Sequence, residues 1–567
     1  MLIDARTLDR DARIEGDICV VGTGPAGLTL LKQLSRSGLR VVSLESGGRS
    51  FDADAQALCD GNTLSPHNYP RDVLLTSRRR QLGGTANLWN DELNAGQGDE
   101  LARLVELDEI DFEKRAWVPY SGWPFAKSEL KKFYKEALGM LDADESIDYG
   151  PEGTSDYPKL LQSEARLRTV LSRFTPATVF TRDWPDDLAR DQAISVYLNA
   201  TLLELVLHDS SISYARVASA PGREFRIAAR FFVLAAGAVE NARLLLLSNR
   251  TQPNGLGNRH DIVGRFLMDH PSFRLGVLTP SNRNLFRSAG LYDHHIQNGK
   301  PVMGKFTFQE ETMRQREMLN ICVTLTPRGR DYESPATNAL KAIVRSKSAT
   351  ERAQLFRRDF RTMTSNWDEL LARFYHKLAK TPLTYFESKG GWSRLPRPHR
   401  RFRRFELCCL AEQAPNPENR ITLADELDRF GQRRSQVHWR WSDADLRSIR
   451  TAQDILKQEF EQQRLGEFVR QYELDGGNPP AFVSPHHQMG TTRMHNDPRQ
   501  GVVDTNSQVH GISNLYLTGT SVFTTGGFAN PTLTIVALAL RLSYHLEELM
   551  KAPSSLSTVA IPSSATG

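Results

Sequence analysis

Residues 17–48 read DICVVGTGPAGLTLLKQLSRSGLRVVSLESGG. Residues 18–21 are a short apolar run of the kind a buried strand shows, and residues 25–35 repeat apolar side chains at helical spacing. Between them stands Gly22-x-Gly24-x-x-Gly27, and a second apolar run, residues 41–44, ends on Glu45. Each part of this strand, turn, helix, strand and acid order has a physical use. Gly22 admits the tight turn, Gly24 lets a pyrophosphate approach the backbone, and Gly27 brings helix and strand close together. Pro25 and Ala26 open the helix, whose positive end faces the phosphates. Glu45 can accept hydrogen bonds from the ribose hydroxyls of a bound dinucleotide.

Other junctions of the same kind are spread along the chain. RRRQLGGTANLWND (residues 78–91) holds the small-residue turn Gly83-Gly84-Thr85, followed by Asn87 and Leu88. ARFFVLAAGAVENARLLL (229–246) is an apolar strand that runs into Gly237 and then a helix. NLYLTGTSVF (514–523) is a third strand, running into Gly519 and Thr520. At such places backbone meets a ligand without side-chain interference. A contiguous NAD domain would not scatter its junctions over the whole chain, so the dispersal favours FAD.

The bulk composition excludes several classes. At 567 residues, 40% hydrophobic and 25% charged, the chain is long enough for two or more globular domains. Lys plus Arg exceed Asp plus Glu by 72 − 67 = 5, too little for a dedicated nucleic-acid binder. Its five cysteines are scattered and form no CxxC or Cys/His spacing, which argues against a metal site or a disulfide scaffold. The N-terminal residues lack an apolar leader and no apolar run approaches a bilayer span, so the expected location is the cytoplasm.

The C-terminal region carries the pattern that joins these pieces. SPHHQMGTTRMH (484–495) contains His487-x-x-Gly490-Thr491, and then follow Val502-Val503-Asp504, Val509-x-Gly511, a strand into Gly519, and Asn530-Pro531 before an apolar helix. With VGRFLMDHP (263–271) and the N-terminal fingerprint, this resembles the glucose-methanol-choline (GMC) oxidoreductases, closest in motif to pyranose oxidase-like and bacterial glycoside-oxidising members. The resemblance covers both ends and the middle, and leaves roughly residues 280–400 poorly matched.

The fold it implies is α/β. A Rossmann-type FAD-binding domain is assembled from residues 1–95, 190–272 and 482–550. A substrate-binding or cap domain with a mixed β-sheet and helices takes 96–189 and 273–481, and 551–567 form a disordered tail. The chemistry it implies is oxidation of an alcohol carbon, a secondary hydroxyl of a sugar or glycoside, with hydride passing to flavin N5. His487 matches the family's first catalytic residue and Asn530 its second. An alkoxide is a better hydride donor than an alcohol, so a histidine with a pKa near neutrality suits the base, and a second polar group should orient the oxygen.

Leu88 stands where some relatives carry a histidine bonded to the flavin, so the FAD is expected to be non-covalent. His486 is expected to point away from His487, as neighbours in an extended segment do, and is read either as lining the pocket or as structural. His270 is read as structural, at a helix end near the cofactor. Trp117, Tyr120 and Trp123 are read either as a sugar-stacking surface or as anchors of a loop on the core. Residues 411–450 read as two strands around an acidic turn and then an amphipathic helix, with the strands carrying the substrate-domain sheet. Glu412 and Gln413 lie either over the substrate or at a solvated strand end.

The basic stretch 329–405, with Arg400, Arg401, Arg403 and Arg404, is a solvated face, a surface for an anionic substrate, or a dock for a partner or oligomer mate. Oxygen, a quinone or a protein would each serve as electron acceptor. Two other readings stay open: oxidation of a non-sugar alcohol, and an electron-transfer flavoprotein that docks a partner through the basic stretch.

Overall fold

The computed structural model describes residues 1–551 apart from 68, 71, 91–100, 144, 149, 151, 155, 162, 329–334, 347, 366–390, 396 and 472–485. The expected tail, much of the basic stretch 329–405 and the segment immediately before His486 therefore lie outside or largely outside the described residues. Lys551, placed with the tail, instead closes the last helix, Thr532–Lys551.

The glycine fingerprint sits at the centre of an eight-stranded sheet. Its strand Arg13–Val21 is longer than the apolar run suggests, because polar residues extend it outward from the core. It pairs in parallel with Val41–Leu44 on one side and Arg223–Leu234 on the other, and the latter pairs in parallel with Leu515–Leu517. The register sets Val21 beside Leu234 and Leu234 beside Leu517. Parallel neighbours end together, so the turns after Val21, Leu234 and Leu517 lie side by side at the carboxyl edge. Ligands of open α/β sheets bind at that edge. Three segments hundreds of residues apart thus form one ligand-facing rim.

Both faces of this sheet are covered, as its unbroken apolar strands require. The helix Pro25–Leu34 packs against Thr532–Lys551. The latter buries eleven side chains, among them Leu533, Val536, Leu540 and Leu546.

A second eight-stranded sheet runs from Gly466–Arg470 to Leu101–Leu104 through Ser272–Pro280, Arg404–Ala411, Ile321–Arg328, Lys300–Phe308 and Leu167–Pro176. Every pair in it is antiparallel. The expected mixing of strand directions falls instead in the first and third sheets.

The two strands anticipated in 411–450 are Arg420–Leu427 and Arg433–His438, followed by the helix Asp443–Gln462. They do not carry the substrate-side sheet. They pair with each other, and Arg433–His438 pairs on its other side in parallel with Gly61–Leu64, forming a small third sheet. No described helix is long and apolar enough to cross a membrane.

Candidate active site

A cavity of about 1010 Å³ lies between the first sheet's carboxyl edge and one face of the second. One end is walled by Gly22, Thr23, Gly24, Pro25, Ala26 and Glu45, with Gly84, Thr85, Gly237, Gly519 and Thr520 beside them. His486, His487 and Asn530 line it further along. Gly27, Gly83, Asn87 and Leu88 do not reach it. Gly27 is needed for packing, since a Cβ there would stand 1.9 Å from the Gly22 carbonyl oxygen. Asn87 shapes its turn by donating from Nδ2 to the carbonyls of Leu82 (3.0 Å) and Gly84 (2.9 Å).

This end fits a dinucleotide. Gly22 has φ +101° and Gly84 +56°, and a Cβ on Gly84 would meet the Gly24 Cα at 2.6 Å, so the rim is bare backbone held in close approach. Thr23 Oγ1 donates to Glu45 Oε2 at 2.6 Å and Gly47 N–H to Oε1 at 2.9 Å, which aims the carboxylate while leaving lone pairs for hydroxyls. Burial pushes the Glu45 carboxyl up, and the Thr23 and Gly47 bonds oppose that shift. Glu240, also in the wall, bridges Arg78, Arg80 and Arg243, and their charges hold its carboxyl low despite burial.

The histidine end is built from two segments that clasp each other. Met268 and Met489 exchange backbone hydrogen bonds of 2.9 and 2.8 Å. Asp269, fully buried, accepts from the backbone N–H groups of His270 (2.8 Å) and His487 (3.0 Å) on one oxygen, and from the Tyr69 hydroxyl (3.2 Å) on the other. Gln413 Oε1 accepts from the Asp269 N–H (3.0 Å) and from Trp439 Nε1 (3.1 Å). The position of the histidine backbone is thus fixed by a chain of buried polar groups.

His270 Nδ1 and His487 Nδ1 are 3.0 Å apart, so one ring donates to the other. His270 is 1% exposed and does not line the cavity. Its Nε2 is buried against the backbone of Gly526 and Gly527. Burial pushes its imidazole down to about 4, and the Gly526 and Gly527 carbonyls offset part of that. His487, with Nδ1 engaged, has only Nε2 left for a ligand. Burial first, then His270, His486, Arg103 and Lys305, hold its pKa well below the ordinary histidine value, so the ring is neutral at neutral pH. Asn530 Oδ1 is buried without a hydrogen-bond partner among the described residues, an acceptor waiting for a donor.

Several readings are corrected here. His270 is at no helix end: it precedes the strand Ser272–Pro280 and touches His487. His486 shares the cavity with His487, because its φ of +66° breaks the extended alternation. The His487 imidazole, expected near neutrality, is held well below the ordinary histidine value by burial, the neighbouring histidines and nearby cations. Glu412 and Gln413 are neither solvated nor over the cavity. Glu412 is paired with Arg115, both side chains being fully buried, and Gln413 supports Asp269. Trp117, Tyr120 and Trp123 lie away from the cavity; Trp123 donates to Thr525 Oγ1 (3.0 Å) and Trp117 to the Met318 carbonyl (3.2 Å). Missed by sequence reading were Asp269 as a clamp, and Arg103 and Lys305 in the cavity wall. For Lys305 the signal was a lysine two residues from Met303 on an apolar strand face.

The dinucleotide rim and the histidine–asparagine end thus line one cavity of an α/β fold. Residues 415–539 match the GMC oxidoreductase family. The chain is similar to 2-methyl-1,2-propanediol dehydrogenase of Mycolicibacterium austroafricanum, at 26% identity over 94% of this chain and 95% of that one. It is 23% identical to 6'''-hydroxyparomomycin C oxidase of Streptomyces lividus over 93% and 90% of the two chains. A shorter stretch, 23% of this chain and 24% of the other, is 33% identical to C-glycoside 3-oxidase of Microbacterium trichothecenolyticum.

Proposed function

We propose that this chain oxidises a secondary hydroxyl of a sugar or glycoside to a ketone, with His487 as base, Asn530 as the group that holds the hydroxyl oxygen, and FAD held non-covalently. Segments 1–95, 190–272 and 482–550 would form the FAD-binding unit, and 96–189 with 273–481 the substrate side. The observation that carries the reading is the engagement of His487 Nδ1 by buried His270 in a cavity that His487 shares with the glycine rim and Asn530.

With His487 donating from Nδ1 to His270, the lone pair of Nε2 is free to take the alcohol proton. Asn530, whose amide offers both a donor and an acceptor, orients the same oxygen. Gly22, Gly24 and Glu45 would hold the cofactor's phosphates and ribose, with the rim residues Gly84, Thr85, Gly237 and Gly519 against its remaining length. Bound FAD supplies the hydride acceptor. Leu88 cannot form the histidyl bond of the covalent relatives. The names of the relatives, a diol dehydrogenase and two oxidases of sugar-containing compounds, support an alcohol substrate and are compatible with more than one acceptor.

The test is anaerobic titration of the purified holoprotein with sugars, glycosides and simple alcohols while flavin absorbance is followed. His487→Ala should slow substrate reduction of the flavin about 10²–10⁴-fold, as loss of a general base does. Flavin content should be retained, and acid denaturation should release FAD. Undiminished reduction in His487→Ala would remove the base assignment.

A further inference from the structure

The cavity wall opposite the glycine rim is one face of the second sheet. Side chains two apart on a strand share a face. Met303 and Lys305, then Cys322, Thr324 and Thr326, then Cys408 all line the cavity from three adjacent strands. The register Phe306 to Val323 brings Lys305 next to Thr324, which pairs with Cys408. Arg103 joins the same wall from Leu101–Leu104.

Lys305 is 1% exposed, and among the described residues neither Lys305 nor Arg103 has a hydrogen-bond or ion-pair partner. Burial, reinforced by Arg103 and opposed by Cys322, holds the lysine down at about 8, still mostly charged at neutral pH. His294 adds a buried Nε2 with no partner among the described residues. The carboxylates that line the cavity among the described residues are Glu45 and Glu240, both at the dinucleotide end.

Buried charge without a counter-charge is strongly disfavoured. Two such cations on one wall, with no acid beside them among the described residues, leave the compensating charge to the ligand. An uncharged sugar would leave both unpaired. Both cations also act electrostatically on His487, so the charge they await lies near the reacting hydroxyl.

We propose that the alcohol this enzyme oxidises carries a carboxylate, as a uronate-type sugar or glycoside does, with Lys305 and Arg103 as its anion subsite. The inference rests on the reading of His487 and Asn530 as the oxidising end. A guanidinium and an ammonium converging on one carboxylate make charge-assisted hydrogen bonds, which set orientation as well as affinity.

The experiment compares methyl β-glucoside with methyl β-glucuronide, which differ in the carboxylate, as reductants of the holoprotein's flavin under anaerobic conditions. Acetate, which has no hydroxyl to oxidise, is titrated separately against the oxidised flavin spectrum and the melting temperature. The glucuronide should half-saturate at a concentration about tenfold or more below the glucoside, the equivalent of one charge-assisted bond. Lys305→Met, which replaces a buried charge with an apolar chain of similar length, should collapse that preference and abolish the acetate response; Lys305→Gln serves if the first variant does not fold.

Equal use of the two glycosides by wild type, with no acetate response, overturns the anion subsite and leaves the alcohol-oxidation reading intact. Equal losses for both glycosides in Lys305→Met, with the preference kept, also overturn it and make Lys305 a stabiliser of negative charge on the reduced cofactor. If neither glycoside reduces the flavin while acetate binding depends on Lys305, the subsite stands and the sugar reading falls.

Discussion

At the scale of single residues, His487 is defined by what surrounds its imidazole. Burial above all, then His270 at its Nδ1, a second histidine and two cations, keep the ring neutral to acidity well below 6.5, the ordinary histidine value. A base with a lowered pKa is active above that pKa and is lost as pH falls through it. The acidic limb of kcat/KM for flavin reduction should therefore lie well below 6.5, and a limb at or above 6.5 would contradict the electrostatic account.

His270 is a positioning residue. His270→Phe keeps a ring of similar size but removes the nitrogen that fixes the His487 tautomer. It should lower kcat about 10²-fold, the order expected for a misplaced catalytic group. FAD content should be unchanged and the pH limb should move. A fall in FAD content alone would make His270 a packing residue only.

At the scale of elements, the glycine rim works because the helix Pro25–Leu34 lies almost on top of the strand before it. Gly27→Ala would drive a Cβ to 1.9 Å from the Gly22 oxygen, which is backbone and has no room to yield. The helix must lift, the rim opens, and the variant should purify with much less than one FAD per chain. Gly38→Ala is the control: φ is +75° and nothing lies within 4 Å, so only backbone strain of about 1 kcal/mol is expected, seen as a lower melting temperature at full FAD content. Loss of flavin in both variants would mean that general instability, not the rim, is being measured.

The rim was legible in the sequence because its causes are local. Glycine spacing, an apolar run on each side and an acid at the strand end belong to a single stretch of chain. That His487 and Asn530 share a cavity with the rim was legible because their motifs carry them. The His270 contact, the Asp269 clamp and the Lys305 wall were not, since each depends on which distant strand lies alongside. Asp269 and Gln413 are 144 residues apart, and a strand pairing brings them together. The error about His486 has a smaller cause, a single left-handed residue that rotates one side chain into the cavity.

At the scale of the whole molecule, the site depends on a buried ionic link far from the fingerprint. Arg115 and Glu412, 297 residues apart, form a two-bond pair with both side chains fully out of solvent. Glu412 Oε2 also accepts from the Asn320 N–H at 2.9 Å, and Asn320 in turn donates to Asp108 and Asp111. The next residue, Gln413, holds Asp269, which holds the backbone of His487. Breaking the pair from one side leaves Glu412 buried and charged without its counter-charge. Arg115→Met should therefore cost about 3–5 kcal/mol of stability, read as a lower urea midpoint of the holoprotein. Replacing both partners removes the stranded charge as well, so Arg115→Met with Glu412→Leu should recover most of that loss. The link matters to function only through position, so the double variant should regain stability before it regains flavin reduction: Gln413 would no longer be held in register by its charged neighbour. A double variant as unstable as the single one would show that packing around residue 115, and not the stranded carboxylate, sets the cost.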